Sequence, residues 1–248
     1  MVAMEKSCKY IARIAKTKND VQLTQAMRAA QFGCSTQDTD LFDAKCRHVL
    51  IEDRETGILQ GCFRFMCFDT GHDVSNSYSA QFYDLQRLAA YKEPMLELGR
   101  FCVSGGVHDY AVLRVAWAYL TRYVDKHNIA LIFGCASFDG VNPLEYTDAF
   151  ALLKQRHLAP DAWTPQVKAS EVFEFASKLN GYKPALSAAN QNMPALLRTY
   201  LGMGGWVSDH AVIDRALNTL HVFTGIEINA IPKSRARLLR ADAGLIEA

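Results

Sequence analysis

The sequence lacks any long apolar run and any marked excess of charge of one sign. No segment approaches the roughly 18 consecutive apolar residues of a membrane-spanning helix, and Met1 to Lys18 alternates apolar residues with Lys and Arg instead of forming a signal peptide. The formal net charge of +1 provides no general attraction to nucleic acid. We therefore expect a cytoplasmic protein, soluble or peripheral at the inner membrane, with no nucleic acid among its partners.

Cysteine and histidine are present without the spacings of metal sites. The seven cysteines include no Cys-x-x-Cys pair, and their odd number does not suit a disulfide framework. The seven histidines include no pair with the spacing of zinc ligands on a helix. We expect reduced, packed thiols and no metal.

The order of apolar segments predicts the fold class. Half of the 248 residues are hydrophobic, which is enough for one sizeable core. Apolar strands at 96–103 and 130–138 flank an amphipathic helix from Ala111 to His127, an order that indicates parallel strands joined by a right-handed crossover. The pattern predicts an α/β fold with a mixed central sheet, in a single domain over 1–248 with a helical insertion at about 139–192.

Other elements follow from local periodicity and capping signals. A helix is predicted from Asn19 or Asp20 to Gly33, with Leu23, Met27 and Ala30 as its apolar stripe. A helix is also expected somewhere within 69–95. The remaining predicted elements are a hairpin over 48–53 and 57–68, helices over 145–157, 167–179 and 194–202, and a terminal hairpin over 206–213 and 220–228.

One short apolar stretch, 96–103, carries both an acid and a base. Regular pleating places Glu97 and Arg100 on opposite faces, and Gly99 between them is where a bulge is expected to re-aim the side chains. Buried charges are costly unless they are paired, so two interpretations stay open. Either the two residues form an internal ion pair, or this strand contacts a substrate and exposes backbone donors to it.

A set of motifs in fixed order resembles a known enzyme family. Arg28 to Phe32, Asp40-Leu41-Phe42-Asp43, Phe63-Arg64-Phe65 and Glu97-x-x-Arg100-Phe101 are similar to the acyl-homoserine-lactone synthases, which are GNAT-like N-acyltransferases. Three further groups of residues resemble more closely the bacterial ornithine lipid synthases, which N-acylate ornithine. These groups are 96–103 with 133–138, 194–202, and 205–214 with Asn218-Thr219. The resemblance implies a GNAT-like fold whose central sheet is splayed between the strands near 96–103 and 130–138.

The resemblance also implies the reaction, in which an amine attacks a thioester and a thiol leaves. Glu97 is then the candidate catalytic base, directly or through a water, and Ser137 is the candidate group that protonates the leaving thiol or holds a water. Backbone amides of Phe101, Cys102 and Val103 are expected to stabilise the oxyanion. The expected acyl-donor site consists of these three residues together with His108, Tyr110 and Ala111.

An ornithine acceptor carries one carboxylate and two amines, and the resemblance places its site on charged residues. Arg28 is expected to bind the carboxylate, beside Phe32, and Asp40 and Asp43 are expected to bind the side-chain amine. Arg64 and Arg100 complete the predicted substrate site. Both arginines have an alternative role as ion-pair partners that brace the loop holding the two aspartates.

The expected donor is the acyl-phosphopantetheine of an acyl carrier protein, with no permanently bound cofactor. The loop from Ser104 to Tyr110 lacks the arginine-and-glycine pattern that GNAT enzymes place before this helix to bind coenzyme A. A carrier protein is acidic, so docking is expected on basic residues. The candidates are Arg114, Arg122 and Lys126, or the tail from Lys233 to Arg240, which is also a candidate contact with anionic membrane lipid.

Alternative functions remain open at this point. The acceptor is ornithine, glutamine or another amino acid, or S-adenosylmethionine as in the synthesis of acyl-homoserine-lactone signals. A protein of another class, which binds acyl chains without catalysis, has the same apolar residues.

Overall fold

The computed structural model describes residues 8–33, 37–104 and 110–245. The strands within these ranges are β1 (Tyr10–Ile14), β2 (Arg47–Asp53), β3 (Leu59–Phe68), β4 (Tyr83–Asp84), β5 (Met95–Val103), β6 (Leu131–Asp139), β7 (Gln166–Val167), β8 (Val172–Phe173), β9 (Trp206–Asp214) and β10 (Thr219–Glu227). The α-helices are α1 (Lys18–Phe32), α2 (Tyr110–His127), α3 (Thr147–Arg156), α4 (Phe175–Lys178), α5 (Leu186–Asn192), α6 (Ala195–Gly202) and α7 (Lys233–Leu245). Short 3₁₀ helices cover Gly71–Asn76, Ser79–Gln81, Leu88–Ala90, Pro143–Tyr146 and Ile228–Ala230.

In the part of the chain that the structure describes, the first of two compact units comprises 8–33, 37–65, 99–104, 110–128 and 233–245. Its strands β1, β2 and β3 are successively antiparallel, and β5 follows β3 in the sheet order. The core of β2 is the fully buried run Val49, Leu50 and Ile51, as its continuous apolar sequence indicates. Helices α2 and α7 pack against each other in this unit.

Helix α1 begins and packs differently from the prediction. Its N-cap is Thr17, and Asp20 is the third helical residue of a capping box, so the cap predicted at Asn19 or Asp20 is wrong. Gly33 ends the helix with a φ of 67°, as expected. Leu23 of the predicted apolar stripe is exposed, whereas the buried face carries Asp20, Thr24, Arg28 and Ala29. The spacing of apolar residues predicted the wrong buried face of α1, because most of the residues that α1 buries are polar.

The second unit comprises 66–98 and 129–232. Strands β5 and β6 pair in parallel from Met95–Leu131 to Leu98–Gly134, which confirms the predicted parallel connection. Strand β10 is antiparallel to both β6 and β9, so the predicted terminal hairpin is also confirmed. One core of this unit consists mainly of aromatic and large aliphatic residues from the sheet and from 68–95, including Phe133, Phe223 and Trp206.

Parts of the second unit that were expected to be helical are not. The segment 69–95 contains 3₁₀ helices and no α-helix, and helix α4 covers only four residues of the predicted helix 167–179. Val172 and Phe173 instead pair with Val212 and Ala211 of β9. The predicted insertion 139–192 contains α3, α4 and α5 together with β7 and β8. Among the described residues, no helix is both long and apolar enough to cross a bilayer.

We predict that Gly134→Ala destabilises the protein, because a Cβ at this position would collide with the backbone carbonyl of Leu98 across the β5–β6 pairing. Overpacking of this kind costs about 1–3 kcal/mol, measurable as a lower urea midpoint. Gly202→Ala is the matched control, since a Cβ there meets no atom within 4 Å. Equal midpoints for the two variants would contradict the close approach.

Candidate active site

Glu97 lies on β5 in the second unit, and its carboxylate is almost completely buried, at 5% exposure. Its Oε1 accepts hydrogen bonds from the backbone N–H of Ser79 at 2.7 Å and from the Ser79 hydroxyl at 2.6 Å. Its Oε2 accepts a hydrogen bond from the backbone N–H of Tyr78 at 2.8 Å. Three donors therefore fix the position of this carboxylate and stabilise its charge.

The partners of Glu97 lie at the start of the 3₁₀ helix Ser79–Gln81, where backbone N–H groups have no partner within the helix. Glu97 satisfies two of these donors from a neighbouring strand. Ser79 was not predicted as a site residue, because it is separated by 18 residues from Glu97 and belongs to no recognisable motif. The cluster of serines at 75, 77 and 79 signals a capped turn, but it does not identify the carboxylate that the turn binds.

Ser137 lies on the same face of the second unit's sheet as Glu97, but not beside it. The register pairs Glu97 with Phe133, and Cys135 is one step further along β6, with its Sγ 3.5 Å from the Ser79 hydroxyl. Ser137 is four residues beyond Phe133 along this strand, which corresponds to about 13 Å. It is exposed and is paired across the sheet with His221. The geometry therefore places Ser137 apart from the carboxylate.

A cluster of six charged residues surrounds Arg28 of α1 in the first unit. Its members are Arg28, Arg64, Arg100, Asp38, Asp40 and Asp43. Three guanidinium groups match three carboxylates, so the formal charges balance. The structure thus brings together all the predicted charged substrate-site residues of this unit, and it adds Asp38, which was not predicted.

Arg28 lies at the centre of these six residues, which we call the ion cluster, and is 1% exposed. Its Nε donates to Oδ2 of Asp38 at 2.7 Å, and its Nη1 donates to Oδ1 of Asp43 at 2.7 Å. Its Nη2 donates to the backbone carbonyl of Asp38 at 2.7 Å. These bonds tie helix α1 to the loop that follows it.

Arg64 and Arg100 bind the same loop from the neighbouring strands. Arg64 of β3 donates to Asp40 at 2.6 Å and 2.7 Å, and Nε of Arg100 donates to Asp38 at 2.8 Å. The bracing role that the sequence left open for these two arginines is therefore present. The side chain of Asp40, at 21%, is the most exposed of the cluster.

The backbone irregularity expected at Gly99 occurs one residue later. Arg100 has a φ of 51°, in the left-handed region, whereas Gly99 does not have a positive φ. The guanidinium group of Arg100 lies over the ring of Phe32, 5.5 Å from its centroid, and binds Asp38 and Asp40. The ion pairs described for Arg100 are thus with these aspartates, while the described partners of Glu97 are Tyr78 and Ser79.

The electrostatics of the cluster follow from its pairing. Burial acts to raise the pKa of Asp43, but hydrogen bonding and the charge of Arg28 outweigh it and hold that pKa well below its usual value. Asp40 has its pKa lowered in the same way by Arg64, against the effect of burial. Burial lowers the pKa of His48, whose Nε2 lies 3.0 Å from the Asp43 carbonyl. The arrangement keeps both carboxylates ionised.

The predicted acyl-donor residues occupy varied environments in the first unit. Phe101 stacks on Phe63 with ring centroids 5.5 Å apart, and Cys102 is buried. Val103 and Ala111 are half-buried, whereas Tyr110 is 83% exposed. His108 lies outside the described residues. The described cysteines, Cys8, Cys46, Cys62, Cys67, Cys102 and Cys135, are free thiols.

We predict that Asp43→Asn destabilises the protein at neutral pH by about 3–5 kcal/mol, because it leaves Arg28 and Arg64 with unbalanced charge in a buried site. The pKa of Asp43 is lower in the folded than in the unfolded chain, so its contribution is present above the unfolded value and is lost as the pH falls below about 4. Urea unfolding at neutral and acidic pH measures both effects.

The control for this experiment is Asp73→Asn, at an exposed aspartate for which no ion pair is described. It should leave the unfolding midpoint unchanged at both pH values. If Asp43→Asn were as stable as the parent protein at neutral pH, the cluster would make no net contribution to stability.

Residues 24–118 match the family model of the acetyltransferase (GNAT) domain, which confirms the predicted GNAT-like fold. A solved N-acyl amino acid synthase from uncultured soil microbes aligns with a TM-score of 0.47 and 11% identity, covering 96% of this chain and 98% of that chain.

Curated relatives match over most of their length. An L-ornithine N(alpha)-acyltransferase of Brucella abortus is 30% identical, covering 88% of this chain and 84% of the relative. An L-ornithine N(alpha)-acyltransferase of Rhodobacter capsulatus is 28% identical, covering 90% of this chain and 91% of the relative. Because this similarity extends over nearly the whole of each chain, the protein belongs to the L-ornithine N(alpha)-acyltransferase family.

Proposed function

We propose that the protein transfers an acyl group from a thioester to the α-amine of L-ornithine, forming an amide and releasing a thiol. Membership of the L-ornithine N(alpha)-acyltransferase family supports the reaction and the acceptor. The observation that carries the mechanism is the buried carboxylate of Glu97, which three hydrogen bonds hold in one orientation.

Glu97 supplies the base in this proposal. A free α-amino group is largely protonated near neutral pH, and only its neutral form attacks a thioester carbonyl. Glu97 takes the proton, directly or through a water, and the ordered donors Tyr78 and Ser79 keep the carboxylate in place while it does so. The nitrogen then bonds to the carbonyl carbon, and a tetrahedral oxyanion forms.

The oxyanion requires hydrogen-bond donors, and the second half of β5 is the proposed source. Successive amides of a strand point to opposite edges, so residues 101–103 direct some N–H groups away from β3. When the intermediate collapses, the nitrogen loses its second proton to solvent, the bond from carbon to sulfur breaks, and the thiolate takes up a proton. The exposed hydroxyl of Ser137 stays a candidate donor for that step, directly or through a water.

The acceptor is bound, in this proposal, by the ion cluster of the first unit. Ornithine presents a carboxylate and a side-chain ammonium group, and the cluster offers both signs of charge. Asp40 has the most exposed side chain of the six residues, and Arg100 has the most exposed side chain of the three arginines, so we assign the contacts with the acceptor to them. Arg28, which is bonded to Asp38 and Asp43, fixes the loop that carries Asp40.

The thioester is carried, in this proposal, by an acyl carrier protein. The sequence of 104–110 supports this choice because it lacks the arginine-and-glycine pattern associated with coenzyme A binding in GNAT enzymes. An acidic carrier requires a basic docking surface. Of the candidates for it, Arg114 is engaged with Asp242 and Arg122 with the backbone of Ala243, whereas Lys126 is exposed.

The function is tested by incubating the purified protein with 3-hydroxyacyl carrier protein and an equimolar mixture of amino acids, followed by mass spectrometry of the products. We expect acylated ornithine to be the main product, and little acylated glutamine, because a neutral side chain gains no charge attraction from Asp40. Acylated glutamine as the main product would show that glutamine, not ornithine, is the acceptor. The absence of any acylated amino acid would contradict the proposed reaction.

Glu97→Gln should lower kcat by about 10²–10⁴-fold, because the amide is isosteric with the carboxylate but does not accept a proton. Glu93→Gln is the matched control, since Glu93 is an exposed acid four residues away. It should retain full activity. Unchanged turnover of Glu97→Gln, with circular dichroism equal to that of the parent protein, would remove Glu97 from the chemistry.

Ser79→Ala should lower kcat by roughly 10–100-fold and leave KM for the acyl donor unchanged, because it removes one hydrogen bond to a charged carboxylate. Ser77→Ala is a matched control in the same turn, since the Ser77 hydroxyl accepts from the N–H of Ala80 and is not among the described partners of Glu97. A loss of kcat of the same size in both variants would show that the turn as a whole, and not the Ser79 hydroxyl, is responsible.

A further inference from the structure

The buried position of Glu97 limits how its carboxylate exchanges protons with solvent. Glu97 is 5% exposed, and Ser79, which binds its carboxylate, is fully buried. In the proposed reaction Glu97 accepts one proton in each turnover, and it must release that proton before the next turnover. The described hydrogen bonds of Glu97 therefore indicate the route that the proton takes.

One of the three described donors to Glu97 is able to pass a proton on. The backbone N–H groups of Tyr78 and Ser79 are amides, whose nitrogen atoms do not accept a second proton. The Ser79 hydroxyl is both a donor and an acceptor, and its Oγ lies 2.6 Å from Oε1 of Glu97. When Oε1 gains a proton, this hydroxyl accepts that proton and donates its own proton to another group.

The next group in this chain of hydrogen bonds is the thiol of Cys135. Its Sγ lies 3.5 Å from Oγ of Ser79 and donates to it. Sulfur is a weak acceptor as well as a weak donor, so this hydrogen bond reverses its direction when the Ser79 hydroxyl turns toward the sulfur. Cys135 is half-buried, so the three side chains connect the buried carboxylate of Glu97 to a partly exposed thiol within the second unit.

Cys135 suits the protonation of a leaving thiolate better than Ser137 does. A thiol is more acidic than an aliphatic hydroxyl, and it matches the acidity of the alkyl thiol that leaves a phosphopantetheine donor. Proton transfer between two alkyl thiols is therefore close to balanced in free energy. Ser137 lies two residues further along β6, about 7 Å away, and no hydrogen bond from it to Ser79 or Glu97 is among those described.

We propose that the Cys135 thiol protonates the thiolate that leaves the acyl donor, and that Glu97 then restores the proton of Cys135 through the Ser79 hydroxyl. The inference rests on the proposed acyl transfer and deepens it by identifying the group that acts in its last step. Cys135 is then a catalytic residue in contact with the leaving sulfur, and Ser79 carries a proton as well as positioning the carboxylate.

Protons and bonds balance over one turnover. Glu97 takes one proton from the ammonium group of the acceptor, and the second nitrogen proton is lost to solvent. The S–H bond of Cys135 breaks as the S–H bond of the released thiol forms. The proton held by Glu97 then moves to Ser79, whose own proton moves to Sγ of Cys135, so the carboxylate, the hydroxyl and the thiol all return to their initial states.

This proton relay of Glu97, Ser79 and Cys135 is tested by comparing two acyl donors in the acylation of ornithine by the full chain. The first donor is 3-hydroxyacyl carrier protein, which releases an alkyl thiolate. The second is the 3-hydroxyacyl thioester of thiophenol, which releases a much less basic aryl thiolate that needs no acid to leave. The test variant is Cys135→Ala, and the matched control is Cys67→Ala, at an exposed cysteine of the same unit.

With the protein in excess over the donor, we expect Cys135→Ala to lower the first-turnover rate about 100-fold with the carrier protein, the lower end of the range for general acids. With the aryl thioester the same variant should stay within about twofold of the parent protein, since no proton donor is required. With the aryl thioester in excess, the first turnover of this variant should be followed by slower turnovers, because the proton on Glu97 has lost its route. Cys67→Ala should match the parent protein throughout, and circular dichroism verifies that both variants are folded.

Four outcomes would overturn the relay. Equal first-turnover rates of Cys135→Ala and the parent protein with the carrier protein would remove the thiol from the chemistry, and an equal loss with both donors would assign it a structural role. Steady turnover of the variant with excess aryl thioester would exclude the return of the proton through Cys135. A loss restricted to the carrier protein in Ser137→Ala, and absent in Cys135→Ala, would assign the step to the serine. Acyl transfer itself is contradicted separately, if the parent protein gives no acylated ornithine from the carrier protein.

Discussion

The guanidinium group of Arg28, buried in a helix face and enclosed by Asp38 and Asp43, shows the constraint on which this molecule depends. A charge removed from water needs partners of opposite charge or several hydrogen bonds. The first unit meets this need with three arginines and three aspartates, and the second meets it by binding Glu97 to the start of a short helix. The polar face of α1, the path of the loop after it and the turn at Ser79 all follow from these pairings.

The two arrangements differ in what they leave available for chemistry. In the ion cluster every carboxylate is matched by a guanidinium group, which suits the recognition of a charged acceptor better than the transfer of a proton. Glu97 instead accepts hydrogen bonds from two backbone N–H groups and one hydroxyl. We therefore propose different residues for the base and for the acceptor site.

The spacing of apolar residues predicted the helices and strands that pair with elements close in sequence or that are buried along their whole length. The run 130–138, the helix from Ala111 and the terminal hairpin were identified because each is apolar over its full length or one face. The buried face of α1 was not predicted, since Arg28 is stabilised by residues on a loop that local sequence patterns do not connect with this helix. Asp38 contacts Arg100 across 62 positions of the chain. Ser79 was missed for the same reason, and Val172 and Phe173 form a strand because β9 lies beside them.

The left-handed backbone at Arg100 has a consequence for the evolution and engineering of this chain. Such a φ at a residue with a side chain costs on the order of 1–3 kcal/mol, and a glycine or asparagine would adopt it more readily. Either replacement would remove the contacts of the guanidinium group with Asp38 and Asp40. Because the loss of one partner from a buried ion pair costs about 3–5 kcal/mol, more than the backbone strain, selection for heat resistance alone would keep the cation at this position.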